Sequence, residues 1–261
     1  MRLPTSNLFS LCLAAVFVLQ VPSFTFGQQF KNPAGRYFPL NQTTPAGVAA
    51  QWHTLSAGTS IGAPQTVRVD LPTGGTVSFL DHMGSSLDTQ PAPAQAGLAV
   101  GHVYRLQISG IPEFGSLQLY PSIEILDQLH PPVGMEDRYP IPVAITKDEI
   151  EAAAKGRMVT KVIYLEAPRH ALGARRSLPE ATTNVPYRMN LLAEADRLGR
   201  PMLILRLGSR KPSVNGSNHG FFGTGGPIQP STLYRAPSPQ HTAAAGRATV
   251  FPIRQAANAG Q

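Results

Sequence analysis

The stretch QTVRVDLPTGGTVSFL, residues 65–80, decides how this chain is read. Val67, Val69 and Leu71 alternate with Thr66, Arg68 and Asp70, the period of two that puts apolar side chains on one face of a half-buried strand. The TGG at 73–75 supplies turn residues, and TVSFL over 76–80 begins a second strand, so the stretch predicts a hairpin. The polar, Pro-rich run from His82 to Ala96 reads as a long loop. In HVYRLQISGIP, Tyr104, Leu106 and Ile108 share one face against Arg105 and Gln107. LQLYPSIEIL, 117–126, continues the meander, and Pro121 predicts an edge position or a bulge because it cannot donate to a ladder.

Further along, Thr146 and Glu149 form T-x-x-E, a capping box that satisfies backbone donors at a helix start. A helix over 147–155 follows, with Asp148, Glu149 and Glu151 early, Lys155 late and Gly156 as its stop. Ile150, Ala153 and Ala154 give it a narrow apolar face, which suits packing at the side of a sheet. MVTKVIYLE, 158–166, is apolar on both faces and predicts a central strand. A loop spans 167–187. Leu191, Leu192, Ala195 and Leu198 stand at helical spacing, and PMLILRL, 201–207, reads as the last strand. The sum is a mainly β fold, an immunoglobulin-like or transthyretin-like β-sandwich with two short helices. The alternative is an α+β fold in which the helices cover one face of a single sheet, since both late strands follow helices.

Composition agrees with this reading. Of 261 residues, 24 are Gly and 25 are Pro, while 42% are hydrophobic, which favours short strands and turns over a helical bundle. A single cysteine excludes a disulfide scaffold and a zinc site built on cysteines. That cysteine, Cys12, lies in the N-terminal stretch MRLPTSNLFSLCLAAVFVLQVPSFTFG. Arg2, the apolar run from Leu8 to Val21, and the small residues Thr25 and Gly27 make residues 1–27 a signal peptide cleaved between Gly27 and Gln28. The apolar run is short of the roughly 18 residues a membrane span requires. The expected location is therefore secreted or periplasmic, with no membrane span after cleavage.

The net charge of +7 is unevenly placed. Residues 209–261 hold Arg210, Lys211, Arg235, Arg247 and Arg254 with no acidic residue, whereas 28–208 are near neutral. The stretch after 208 is rich in Gly, Pro and Ala and poor in large apolar residues, so it reads as a disordered basic tail behind a single β-rich domain over 28–208. Its charges lack the clustering and interleaved aromatics of a nucleic-acid surface. An anionic envelope polymer or another envelope protein is the expected partner, and nucleic acid is not. GFF at 220–222 and VFPI at 250–253 are apolar islands within the tail.

No motif supplies a catalytic, metal-binding or cofactor-binding site. Gly58, Ser60 and Gly62 match G-x-S-x-G, but Pro64 and a strand follow where a nucleophile elbow requires a helix. The histidines at 53, 82, 102, 130, 170, 219 and 241 form no ligand motif, Asp81, His82 and Asp88 being the nearest approach to a metal group. Carboxylates for glycoside hydrolysis could come from Glu124, Asp127 or Glu166, with Trp52 as the one tryptophan able to stack on sugar. Glu124 and Glu166 fall on strands where a solvated polar face is expected. GFFGTGG is no phosphate loop, because it precedes Pro227 and opens no helix.

The blocks GLAVGHVYRLQISGIP, LYPSIEILDQLHPP, RYPIPVAITKDEIEAAAKGRMVTKVIYLEAP and GRPMLILRLGSR, in that order, resemble a family of exported planctomycete proteins over residues 95–210. The resemblance implies export and a single folded body, and it brings no catalytic residues with it. The expected function is an exported, non-catalytic, envelope-associated structural or interaction module. A glycan-binding module or carbohydrate-active enzyme is the alternative.

Overall fold

The computed structural model describes residues 37–41, 43–57, 64–168, 182–186, 189–215, 218, 220–231 and 250–255. In chain order the strands are β1 (Pro64–Asp70), β2 (Thr76–Leu80), β3 (Ser86–Pro91), β4 (Ala94–Ala99), β5 (Val103–Ser109) and β6 (Ser122–Ile125). They continue with β7 (Ile141–Ala144), β8 (Val159–Glu166), β9 (Thr183–Val185), β10 (Gly199–Leu207), β11 (Ile228–Pro230) and β12 (Val250–Gln255). The helices are α1 (Val48–Ala57), α2 (Lys147–Ala154) and α3 (Leu191–Leu198). The fold is mainly β, with a four-stranded sheet ordered β11-β4-β1-β7 and an eight-stranded sheet ordered β3-β2-β5-β6-β10-β8-β12-β9.

β1 shows the predicted alternation, with Val67 and Val69 fully buried. It does not form a hairpin with β2. β1 pairs antiparallel with β4 and parallel with β7, whereas β2 pairs with β3 and β5 in the other sheet. Gly74 and Gly75, at φ 90° and 127°, carry the chain from one sheet to the other. The positions beside β1 and β2 are taken by β4 and β3, of which β3 lies within the run expected to be a loop and β4 begins at its end. That run escaped notice because β3 is polar and largely exposed, and β4 is built from small residues. Small residues are required in β4, since a Cβ on Gly97 would lie 3.2 Å from the Gln229 Cβ on the neighbouring β11.

The two sheets share one buried cluster, to which β1 and β4 give Val67, Val69 and Leu98 and the larger sheet gives Phe79, Leu106, Ile123 and Leu205. A single sheet is thereby excluded. The opposite face of the larger sheet, reached by the alternate residues Val162, Tyr164, Ile204 and Ile253, packs under Leu191, Leu192 and Ala195 of α3 and Ala49 and Ala50 of α1. The described residues thus contain three α-helices where two were expected. α2 instead places Ile150 and Ala153 in the cluster between the sheets, and its predicted capping box is present between Thr146 and Glu149. No described helix is long and apolar enough to cross a membrane.

Two further expectations are corrected. Pro121 marks neither an edge nor a bulge: it stands just before β6, which lies between β5 and β10, and its carbonyl accepts the Leu106 N–H at 2.9 Å. The boundary at 208 and the separate tail over 209–261 also fail where that stretch is described. β11 pairs with β4, β12 pairs with β8 over six residues, and Phe221 and Phe222 are buried with Leu80. PMLILRL is therefore not the last strand. The low apolar content of the stretch is no obstacle, because the body already supplies the sheet edge and the apolar surface, and Ile253 has only to be added to them.

Candidate functional site

The strand registers build a polar row on the helix-facing side of the larger sheet. Arg105 on β5 lies opposite Ser122 on β6, Ser122 opposite Arg206 on β10, and Arg206 opposite Thr160 on β8. Glu124 stands two residues beyond Ser122 and on the same face. On one side of this row lie α1 and α3 with their apolar cluster. On the other lie Leu80, Phe221 and Phe222. The row is thus a charged seam between two apolar patches of one sheet face.

Glu124 is 1% exposed. Its Oε1 accepts the Ala50 backbone N–H at 2.6 Å, satisfying a donor in the first turn of α1, and its Oε2 pairs with Arg206 Nη1 at 2.9 Å. One carboxylate therefore joins β6, β10 and the start of α1. Arg206 is 7% exposed. Among the described residues its Nε and Nη2 have no hydrogen-bond partner, and neither has the Oγ1 of buried Thr160.

Arg105 donates from Nε to the Phe221 carbonyl and from Nη1 to that of Tyr120, each at 2.8 Å. Burial, reinforced by the positive charges of Arg210 and Arg206, pushes its guanidinium down to about 10. Arg105 and Arg210 both lie over the Phe221 ring, 4.5 and 5.5 Å from its centroid. The segment carrying Phe221 is fastened along β5. His102 Nδ1 donates to the Gly225 carbonyl at 2.7 Å, Gly225 N–H to Val103 at 3.1 Å, and the Tyr104 hydroxyl to Pro227 at 3.1 Å. Such approach requires glycine at 223, where φ is +81° and a Cβ would lie 2.9 Å from the Val103 carbonyl oxygen. Burial pushes the Tyr104 phenol up to about 12.

On the inter-sheet side, Lys161 and Glu149 form a second buried pair at 2.9 Å. Lys161 Nζ also donates to the Ala144 carbonyl at 2.7 Å. Glu149 closes the capping box of α2, so this pair ties the helix to β7 and β8.

The residues singled out from the sequence are dispersed. Glu124 is not on a solvated face but beneath α1. Asp127 pairs with Arg200 at 3.4 Å, and Glu166 ends β8, half-buried. Trp52 is exposed on α1, its ring edge-on to Phe38 at 6.0 Å. Asp81 Oδ1 accepts the N–H groups of Met83 and Ser85 within a turn, while Asp88 accepts from Gln90. No three His, Cys, Asp or Glu residues come together as metal ligands among the described residues. Gly27 and Gln28, Cys12, the G-x-S-x-G at 58–62, and His170, His219 and His241 lie outside the described residues. The sequence marks Arg105 only as part of a polar strand face and does not mark Arg206 or Thr160, because a polar residue at an alternating strand position ordinarily faces solvent, and only the cross-strand register brings the three into one row. No family model matches this chain, and neither a curated protein nor a solved structure matches it.

Proposed function

We propose that the protein is an exported, non-catalytic interaction module of the cell envelope, built on a sandwich of the immunoglobulin-like or transthyretin-like kind. The state of the Glu124 carboxylate carries this reading. Both its oxygens are engaged, one by the backbone of α1 and one by Arg206, so the most buried of the carboxylates considered for hydrolysis is a structural anchor. Two sheets sharing one apolar cluster support the sandwich. The leader ending at Gly27 and the ordered resemblance to exported planctomycete proteins support the address. An anionic envelope polymer or another envelope protein is the partner that the excess of basic residues after 208 suits.

Cell fractionation with N-terminal sequencing tests the proposal. The exported chain is expected to begin at Gln28, to sediment with the envelope at low salt and to be released at high salt, as screened contacts require. Full-length protein confined to the cytoplasm would refute it. A glycan-binding reading draws on exposed Trp52 beside Phe38. It requires retardation of the protein in gels containing envelope polysaccharide, lost in Trp52→Ala.

A further inference from the structure

The Nε and Nη2 atoms of Arg206 form one edge of the guanidinium plane, the edge whose two parallel N–H groups match two oxygens of an oxyanion. Nη1, at the far side, is already held by Glu124. The open edge is not a solvated surface, since Arg206 is 7% exposed, and both edge atoms are buried without a partner among the described residues. Its cross-strand neighbour Thr160 is fully buried and has a hydroxyl without a partner among the described residues. Leaving polar groups buried and unsatisfied is costly, and most costly for a charged donor. Two adjacent side chains carry that cost here.

The charge around the seam is equally uncompensated. The positive charges of Arg206 and Arg210 both act on Arg105, and among the described residues Glu124 is the carboxylate paired with Arg206. Arg105 turns Nε and Nη1 to backbone carbonyls, which carry no counter-charge. A monoanionic carboxylate would fill the Arg206 edge and leave positive charge over. A tetrahedral dianion would fill the edge, reach the threonine hydroxyl with a third oxygen and offset that charge.

We propose that Arg206 and Thr160, with the charge of Arg105 two strands away in the same row, bind a doubly charged tetrahedral oxyanion of the phosphate or sulfate class. This site does not depend on the export reading. Its anion would rest on β8 and β10 in the seam between α1 and the Phe221 segment, and would brace both against the sheet.

Equilibrium dialysis of the full chain against radiolabelled inorganic phosphate at fixed chloride tests the site, with sulfate and phenyl phosphate as competitors. Saturable phosphate binding displaced by sulfate is expected. Arg206→Lys should bind at least about tenfold more weakly, because an ammonium keeps a charge toward Glu124 but lacks the parallel N–H pair. Thr160→Val should weaken binding by about threefold or more through loss of one hydrogen bond. Competition by phenyl phosphate supports a phosphate group carried on an organic molecule, and its failure supports the free ion; either result sustains the site. Absence of saturable binding in the parent overturns it, as does parent-like binding by folded Arg206→Lys. Should circular dichroism show Arg206→Lys unfolded, unchanged binding by Thr160→Val overturns it instead.

Discussion

Replacing Glu124 by leucine would leave the Arg206 guanidinium buried without its counter-charge and the Ala50 N–H without its acceptor. Breaking a buried pair from one side costs about 3–5 kcal/mol, so Glu124→Leu should lower the urea midpoint steeply. Removing both charges in Glu124→Leu/Arg206→Met should restore much of the loss, as no charge is then left buried without a partner and the Ala50 N–H alone lacks its acceptor. Tyr104 gives a prediction in pH. Its phenol is raised from the ordinary 10.0 to about 12, chiefly by burial, so the native state retains a proton that the unfolded chain gives up. The associated stability is full below pH 10 and is lost as pH rises through 12. Urea midpoints across that window should fall more steeply for the parent than for Tyr104→Phe. At neutral pH the same variant should cost about 1 kcal/mol, for the hydrogen bonds to Ala99 and Pro227. The inward face of Tyr104 was legible in the alternation of its strand. The burial of Glu124 was not, because an isolated acid in an apolar run carries no mark of whether a helix will cover it.

Among the elements, α2 shows what local sequence can and cannot specify. Its capping box was legible because all its parts lie within four residues of chain, and Thr146→Ala should cost about 1 kcal/mol in chemical denaturation. Glu149 has a second duty that no local pattern announces: it neutralises Lys161, twelve residues away and 2% exposed at its side chain. Glu149→Ala should therefore cost several times more than Thr146→Ala, about 3–5 kcal/mol. Near-equal losses would mean that the ion pair contributes nothing beyond the cap. The strands divide in the same way. β1, β5 and β8 declared themselves through valine, isoleucine and tyrosine at regular spacing. β4 did not, since alanine and glycine have weak strand preference, and those residues are chosen here by the closeness of β11.

For the whole molecule, the basic stretch after 208 changes meaning. Local composition counts it as too apolar-poor to fold, and that judgement assumes that it must build its own core. β12 instead lies between β8 and β9, with Ile253 fully buried in the cluster beneath α3, and Arg254 lies 3.7 Å from Glu149. The segment from 220 to 231 covers β5 and completes the smaller sheet with β11. A chain ending at Gly208 would lose both. It would uncover β8 along six ladder positions and empty the place of Ile253, whose burial alone contributes about 1.5–3 kcal/mol. Exposed strand edges also invite pairing between molecules. The truncated chain should melt well below the parent and elute as aggregates in size-exclusion chromatography. A chain ending at Gln255 should keep the parent's melting temperature and elute as the parent does. Equal stability of the 208 and 255 truncations would show that the strands beyond 208 add nothing to the body, and would return the domain boundary to the position that composition suggests.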